Sequence, residues 1–119
     1  MSPYRTPILI MALALSSLAQ AQYLDSLYAV WQDRTRSDSD RVAAYVDHIW
    51  DGYLFSRPDT AATLAEALHA FAEESQYPRA SAKGYNLQGT ANRLQGDYPR
   101  AFHYYQKSLA IHDRIGDKK

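Results

Sequence analysis

The chain has 119 residues, with thirteen basic and thirteen acidic side chains and no cysteine. This length predicts one small domain or a piece of a larger protein. The balanced charge argues against a protein that binds nucleic acid or an anionic membrane through bulk electrostatics. The lack of cysteine excludes a disulfide framework, a thiolate metal site and a cysteine nucleophile. A hydrophobic fraction of 46% is sufficient for a packed core.

The first 21 residues have the pattern of a secretory signal peptide. Arg5 supplies the positive charge, residues 8–18 form an apolar run, and small residues occupy the two positions that a signal peptidase reads, Ala19 and Ala21. The run is too short to span about 30 Å of hydrocarbon. We therefore expect export to the periplasm, or to the extracytoplasmic side of a bacterial envelope, with cleavage after Ala21. An uncleaved anchor is the alternative.

The rest of the chain has helical periodicity and no sustained alternation typical of strands. Residues 22–39 are predicted to form an N-terminal helix and a linker. Residues 40–77 are predicted to form a degenerate helix pair, with a turn at residues 56–59 and a second helix over residues 61–72. Ser39 or Asp40 is expected to cap the first helix of this pair, and Asp59 the second. The inward-facing positions of the first helix are Val42, Tyr45, Val46, Ile49, Trp50 and Tyr53.

Residues 78–119 resemble a tetratricopeptide repeat, a helix–turn–helix unit of about 34 residues. The matching positions are Tyr85, Gly89, Gly96, Ala101, Tyr105 and Ser108. Gln88, Asn92 and Asp113 depart from the usual pattern. The resemblance implies an all-α solenoid of antiparallel helix pairs, with about five helices after the signal peptide. It also implies an array that continues beyond residue 119.

The resemblance gives each matching position a packing role. Gly89 and Ala101 are expected at the close crossing of the two helices, with Tyr85 and Tyr105 filling the gaps between successive helices. Gly96 is expected to take a positive φ and Asp97 to start the second helix. Tyr104, which is adjacent to Tyr105, is expected to be the more exposed of the two.

The layout as a whole is similar to the extracytoplasmic tetratricopeptide sensor region of bacterial envelope signalling proteins. This likeness implies a non-catalytic protein-binding or peptide-binding module at the N-terminal end of a longer signalling protein. One alternative is a fragment of a membrane-bound adenylate or guanylate cyclase or of a histidine kinase. Another is a structural spacer. A membrane tether would belong to the longer parent chain.

The sequence contains no established catalytic or metal-binding motif. His48, with Asp47 and Asp51 close by, matches no metal signature and is interpreted as a surface or interface histidine. His69 and His103 have no evident nucleophile partner, and no G-x-S-x-G motif surrounds a serine. We therefore expect no cofactor, no metal and no catalysis. The aromatic residues Trp31, Tyr45, Trp50 and Tyr53 could line a ligand cage, but inter-helix packing is the favoured interpretation.

One helix face is the candidate peptide-binding surface. In the resembling family, a face of the first helix of each unit lines the concave groove. Here that face consists of Lys83, Asn86, Thr90 and Arg93, whose spacing places them on one side of a helix. Lys83 and Arg93 are expected to meet a carboxylate, and Asn86 to hydrogen-bond a peptide backbone. The alternative is a solvated helix face. Self-association through the helix over residues 98–115 is also expected.

Overall fold

The computed structural model describes residues 5–116, with side chains from residue 9 onward, and within these bounds the protein is all-helical. The predicted all-α class is confirmed. A single residue separates the helix over residues 58–64 from the helix over residues 66–74, so these two count as one bent helix, and the described part then has five helices. The elements are α1 (Arg5–Gln32), α2 (Asp38–Ile49), a π-helical turn (Trp50–Leu54), α3 (Pro58–Leu64), α4 (Glu66–Glu74), α5 (Pro78–Leu94) and α6 (Tyr98–Arg114).

Helix α1 joins the predicted signal segment and the first predicted helix into one element of 28 residues. Its large apolar side chains between Leu9 and Leu18 are all more than half exposed. Contacts with the rest of the protein begin further along. Leu24 lies over Gly52, and the Trp31 ring stacks on the Tyr45 ring with centroids 4.3 Å apart. Within the described residues, no helix is long and apolar enough to cross a membrane.

The helix starts differ from the predicted caps. Ser37 caps α2, because its extended backbone lets the hydroxyl accept a hydrogen bond from the Asp40 amide at 3.1 Å. Ser39 and Asp40 lie inside the first turn. Helix α3 begins at Pro58 after Arg57, which has the non-helical backbone that a residue before proline adopts. Asp59 lies inside this helix and is not its cap.

The π-helical turn changes which side chains face the core. Straight α-helical periodicity placed Trp50 on the buried face, but Trp50 is 39% exposed and packs edge-on against Phe55. A π-helical turn has more residues per turn than an α-helix, so it rotates the following positions. Tyr53 stays half-buried, and Leu54 becomes fully buried. The prediction that Trp50 belongs to the inward-facing set is therefore wrong.

The helix predicted over residues 61–72 is bent at Ala65, where α3 ends and α4 begins. The Leu68 amide donates to the Ala65 carbonyl in a tight turn. Both residues are fully buried against α5. Gly84 allows this approach, since a Cβ at Gly84 would lie 3.2 Å from the Ala65 carbonyl oxygen and 3.2 Å from the Leu68 Cβ.

Helices α5 and α6 form a tight hairpin with the expected turn chemistry. Gly96 has a φ of +82°, and the Asp97 carboxylate accepts from the Arg100 amide, so both expectations are confirmed. The Ser108 hydroxyl donates to the Ala82 carbonyl at 2.9 Å. Gly89 lies at the crossing, where an added Cβ would be 2.8 Å from two Tyr105 ring carbons.

Tyr104 is more buried than expected. It falls in the same half-buried class as Tyr105, since its ring stacks on Tyr85 with centroids 6.1 Å apart. The large side chains of the core come from the elements before α6: Val42, Ile49, Leu54, Leu68 and Leu87 are all at most 1% exposed. Helix α6 adds only two buried residues, both small: Ala101 and Ser108.

Candidate functional site

Three of the four predicted peptide-contacting residues are exposed on α5. Lys83, Asn86 and Arg93 are all solvent-accessible. Thr90 is only 4% exposed, so its predicted role in binding is wrong. Its hydroxyl donates to the Asn86 carbonyl at 2.9 Å and is in turn hydrogen-bonded to the Tyr105 hydroxyl at 2.9 Å. Because the Thr90 proton goes to a carbonyl, Tyr105 is the donor to Thr90.

The exposed face of α5 carries two cations without acidic partners. Within the described residues the only ion pair joins Arg36 to Asp33 at 3.3 Å, so neither Lys83 nor Arg93 has a carboxylate within 4.0 Å. The two residues are ten positions apart, which is about 15 Å along a helix axis. Asn86 lies between them, and its amide can both donate and accept.

The other sides of α5 fix this face in position. Ala80, Leu87 and Ala91 are at most 1% exposed. Helix α5 packs against α3 and α4 on one side and against α6 on the other. The exposed polar face is therefore held on a helix that is anchored along its length.

A groove of about 490 Å³ lies between α4, α5 and α6. Its charged lining residues are Glu73, Lys107 and Arg114. The Lys107 ammonium lies 5.2 Å from the centroid of the Tyr85 ring, which is within cation–π distance. The groove thus combines both signs of charge, and its wall includes Tyr85.

His69 has a partner that the sequence did not reveal, and the expectation of a histidine without a nucleophile is wrong. The His69 Nδ1 lies 2.5 Å from the Ser81 hydroxyl oxygen, and its Nε2 lies 2.9 Å from the Gln88 Oε1. The Gln88 amide nitrogen in turn donates to Glu66 at 2.6 Å and to the Ala62 carbonyl. The two residues His69 and Ser81 lie on different helices, which is why spacing along the chain did not connect them.

The direction of this network follows from its acceptors. Since the Gln88 nitrogen faces a carboxylate and a carbonyl, its oxygen faces His69 and requires a proton on Nε2. Nδ1 then accepts from the Ser81 hydroxyl. A hydroxyl on an imidazole is also the pairing that activates nucleophiles. Here the pair continues into a nearly buried glutamine, and we interpret it as a network that joins α4 to α5.

The acidic residues near His48 do not form a metal site with it. The His48 Nδ1 lies 3.0 Å from the Leu24 carbonyl, whereas Asp51 accepts a hydrogen bond from the Tyr23 hydroxyl at 2.7 Å. This hydrogen bond to Asp51 raises the pKa of Tyr23 above its ordinary value. Among the residues that the structure covers, no three histidine or acidic side chains are grouped to hold a metal ion.

The predicted cleavage positions, Ala19 and Ala21, lie exposed within α1. Comparison with known proteins adds no relative: no family model, no curated protein and no solved structure matches this chain. The structure places this chain in the all-α class of proteins. Function has to be argued from the surfaces described above.

Proposed function

We propose that the protein is a non-catalytic peptide-binding module whose contact surface is the exposed face of α5. One observation carries the proposal. Lys83 and Arg93 project from an anchored helix with no carboxylate of the described chain within 4.0 Å, and Asn86 lies between them.

The chemistry of this face favours an acidic, extended peptide. Arg93 can bind a carboxylate through two parallel hydrogen bonds, and Lys83 supplies a second positive charge about 15 Å away. A peptide in extended conformation covers that distance in about five residues. The Asn86 amide can pair with the peptide backbone between the two charges, without demanding a particular side chain.

The tetratricopeptide character of the array is part of the same proposal. It is supported by the close crossing at Gly89, the Gly96–Asp97 turn and the hydrogen bond from Ser108 to Ala82. It is also supported by the contact of α5 with α2, since the first helices of successive units are neighbours in such arrays.

We place the module outside the cytoplasm, in an envelope signalling protein. One support is the targeting pattern of residues 1–21. The other is the exposure of the large apolar side chains from Leu9 to Leu18, which no other part of the described chain covers. In this proposal, peptide binding is the input to a signalling output carried by a longer parent chain.

The test is a selection from a random peptide display library on the immobilised full chain. We expect enrichment of peptides rich in aspartate and glutamate. Binding of the enriched peptides should fall at least tenfold in the double variant Asn86→Ala/Arg93→Glu. Both positions are exposed, so its melting curve should stay within about 0.5 kcal/mol of the parent.

Arg100→Glu is the matched control, since Arg100 is an exposed arginine on α6, outside the proposed face. It changes the net charge by the same amount as Arg93→Glu and should leave peptide binding unchanged. An equal loss of peptide binding in both variants would show that binding depends only on the overall charge of the protein. Undiminished binding in a folded Asn86→Ala/Arg93→Glu variant would exclude this face.

A further inference from the structure

A separate cleft lies where α1, α2, the π-helical turn and α3 meet. It has a volume of about 310 Å³ and is lined by Asp25, Tyr28, His48, Tyr53 and Leu64. Three of these five residues present π-systems, and one presents a carboxylate. No lysine or arginine is among them.

The rings of this cleft form a continuous wall. The His48 ring lies 5.3 Å from the Tyr28 ring and 5.6 Å from the Tyr53 ring, measured between centroids. Behind them Tyr45 stacks on His48, and its hydroxyl donates to the Leu64 carbonyl at 2.8 Å. Burial raises the pKa of Tyr45 to about 12, so its phenol stays neutral. Tyr45 therefore supports the rings on the side away from the cleft, and the rings present π-systems to the cleft.

His48 brings an unused hydrogen-bond acceptor to the cleft. The Leu24 carbonyl can only accept, so Nδ1 of His48 carries the proton in the hydrogen bond between them. In the neutral ring Nε2 is then an acceptor, and it has no partner among the residues that the structure covers. His48 is only 9% exposed, so this unpaired nitrogen belongs to a largely buried ring. Nε2 itself is not fully enclosed, so water reaches it, and a ligand that donates to Nε2 would replace that water.

The charges around the cleft favour a cation. Asp25 supplies the one carboxylate among the five residues that line it. The Arg57 guanidinium already lies 5.7 Å from the centroid of the Tyr53 ring. The Tyr53 ring is therefore already engaged by a cation of the protein, and the Tyr28 ring is the aromatic face that remains for a ligand cation.

We propose that this cleft binds a primary ammonium group. The ammonium would lie against the face of Tyr28, donate one N–H to Nε2 of His48 and pair with the Asp25 carboxylate. A quaternary ammonium has no proton to give to His48, and an anion would be repelled by Asp25. The source is either a free organic amine or a lysine side chain of another protein. This inference does not depend on the proposed peptide face of α5.

The test is an NMR titration of the full chain at neutral pH, following the ring resonances of His48 and Tyr28. The probes are n-butylammonium, Nα-acetyl-lysine amide, butyltrimethylammonium and the uncharged n-butanol. We expect saturable shifts with the two primary ammonium probes and at least fivefold weaker binding of the other two. Tighter binding of n-butylammonium would identify a free amine as the ligand, and tighter binding of the lysine derivative a protein side chain.

Four variants, two at a time, test the contribution of the carboxylate and the contribution of the aromatic ring. Asp25→Asn should weaken the binding of n-butylammonium at least fivefold. Asp113→Asn should leave this binding unchanged, because Asp113 is exposed and lies outside the cleft. Tyr28→Leu should weaken binding severalfold, and Tyr28→Phe, which keeps the ring, should retain it. Tyr28 is 40% exposed, so both variants should fold. Equal shifts with n-butanol, no saturation, or unchanged binding in Asp25→Asn would overturn the proposal.

Discussion

Gln88 shows how a single polar residue is accommodated in this core. It is 2% exposed, yet its side chain makes hydrogen bonds to His69, to Glu66 and to the Ala62 carbonyl. A buried amide without partners would cost about 1–3 kcal/mol, so these bonds are what makes its position acceptable. Leucine is similar to glutamine in size but has no polar atoms, which suggests a direct experiment.

Replacing Gln88 alone should lower the free energy of unfolding more than replacing Gln88 together with His69. Gln88→Leu leaves the His69 Nε2–H without its acceptor, and we expect a loss of about 1–3 kcal/mol in the free energy of unfolding. The double variant His69→Leu/Gln88→Leu removes both polar partners and should recover much of that loss. Urea denaturation of the four proteins of this cycle measures the coupling.

If the losses of the two single variants simply added up in the double variant, the interpretation of this network as a structural link between α4 and α5 would be contradicted. Ser81→Ala serves as the control, since Ser81 is half-buried at the groove and its loss leaves an acceptor nitrogen that water can reach. Its cost should be smaller than that of Gln88→Leu.

Gly89 and Gly52 should respond differently to the same added methyl group. In Gly89→Ala the new Cβ would lie 2.8 Å from the Tyr105 ring, which is held by its hydrogen bond to Thr90. We expect a loss of about 1–3 kcal/mol from this overpacking. In Gly52→Ala the Cβ meets only the methyl groups of Leu24 at 3.1 Å, and these can rotate away. Thermal melts of both variants compare the two sites, and an equal effect would show that the crossing at Gly89 is not tight.

At the scale of elements, the helix starts depend on two side-chain caps. Ser37 caps α2 and Asp97 caps α6, each by accepting from the amide three residues later. We expect Ser37→Ala and Asp97→Ala each to cost about 1 kcal/mol, and Asp97→Asn, which keeps an acceptor, to cost much less. Chemical denaturation checks both. No loss in Asp97→Ala would mean that the Gly96 turn alone fixes the start of α6.

Helix boundaries were largely predictable, whereas changes within helices were not. The stops near residues 33–37, 75–77 and 95–97 followed from local turn chemistry and from the end of apolar periodicity. The bend at Ala65 and the π-helical turn had no such local marker. Each one adjusts a helix to a neighbour: the bend lets α3 and α4 both reach α5, and the π-helical turn brings Leu54 into the core.

At the scale of the whole molecule, α1 has two halves with different contacts. The side chains of residues 9–23 are exposed, whereas Leu24 and Trp31 pack against α2, the π-helical turn and α4. Removing residues 1–21 should therefore leave the melting temperature nearly unchanged. Removing residues 1–32 should destabilise the protein strongly, because the stacked Trp31–Tyr45 pair is lost. N-terminal sequencing of exported protein should begin at Gln22, and a retained Met1 would contradict cleavage after Ala21.

Helix α6 presents an apolar stripe that should drive self-association. Tyr98, Phe102 and Leu109 are each more than half exposed and lie on one face of the helix. We expect concentration-dependent dimerisation in sedimentation experiments, reduced in the variant Phe102→Ser/Leu109→Ser. Phe55→Ser is the matched control, because Phe55 is as exposed as Phe102 but lies outside α6. A monomer at all concentrations, or equal loss in both variants, would contradict this role for α6.

The sequence by itself determined the all-α class and the turn at Gly96 and Asp97, whereas the close crossing at Gly89 was expected only from the resemblance to a tetratricopeptide repeat. These features depend on short-range periodicity, on backbone preferences of individual residues and on a hairpin of adjacent helices. Only the tertiary structure decided that Thr90 is buried against Tyr105, that His69 meets Ser81, and that Asp25 and His48 share one cleft. Those pairings join residues on different helices, so they depend on how far each helix is rotated and offset against its neighbour. That rotation is set by packing across the whole core, and no local pattern along the chain records it.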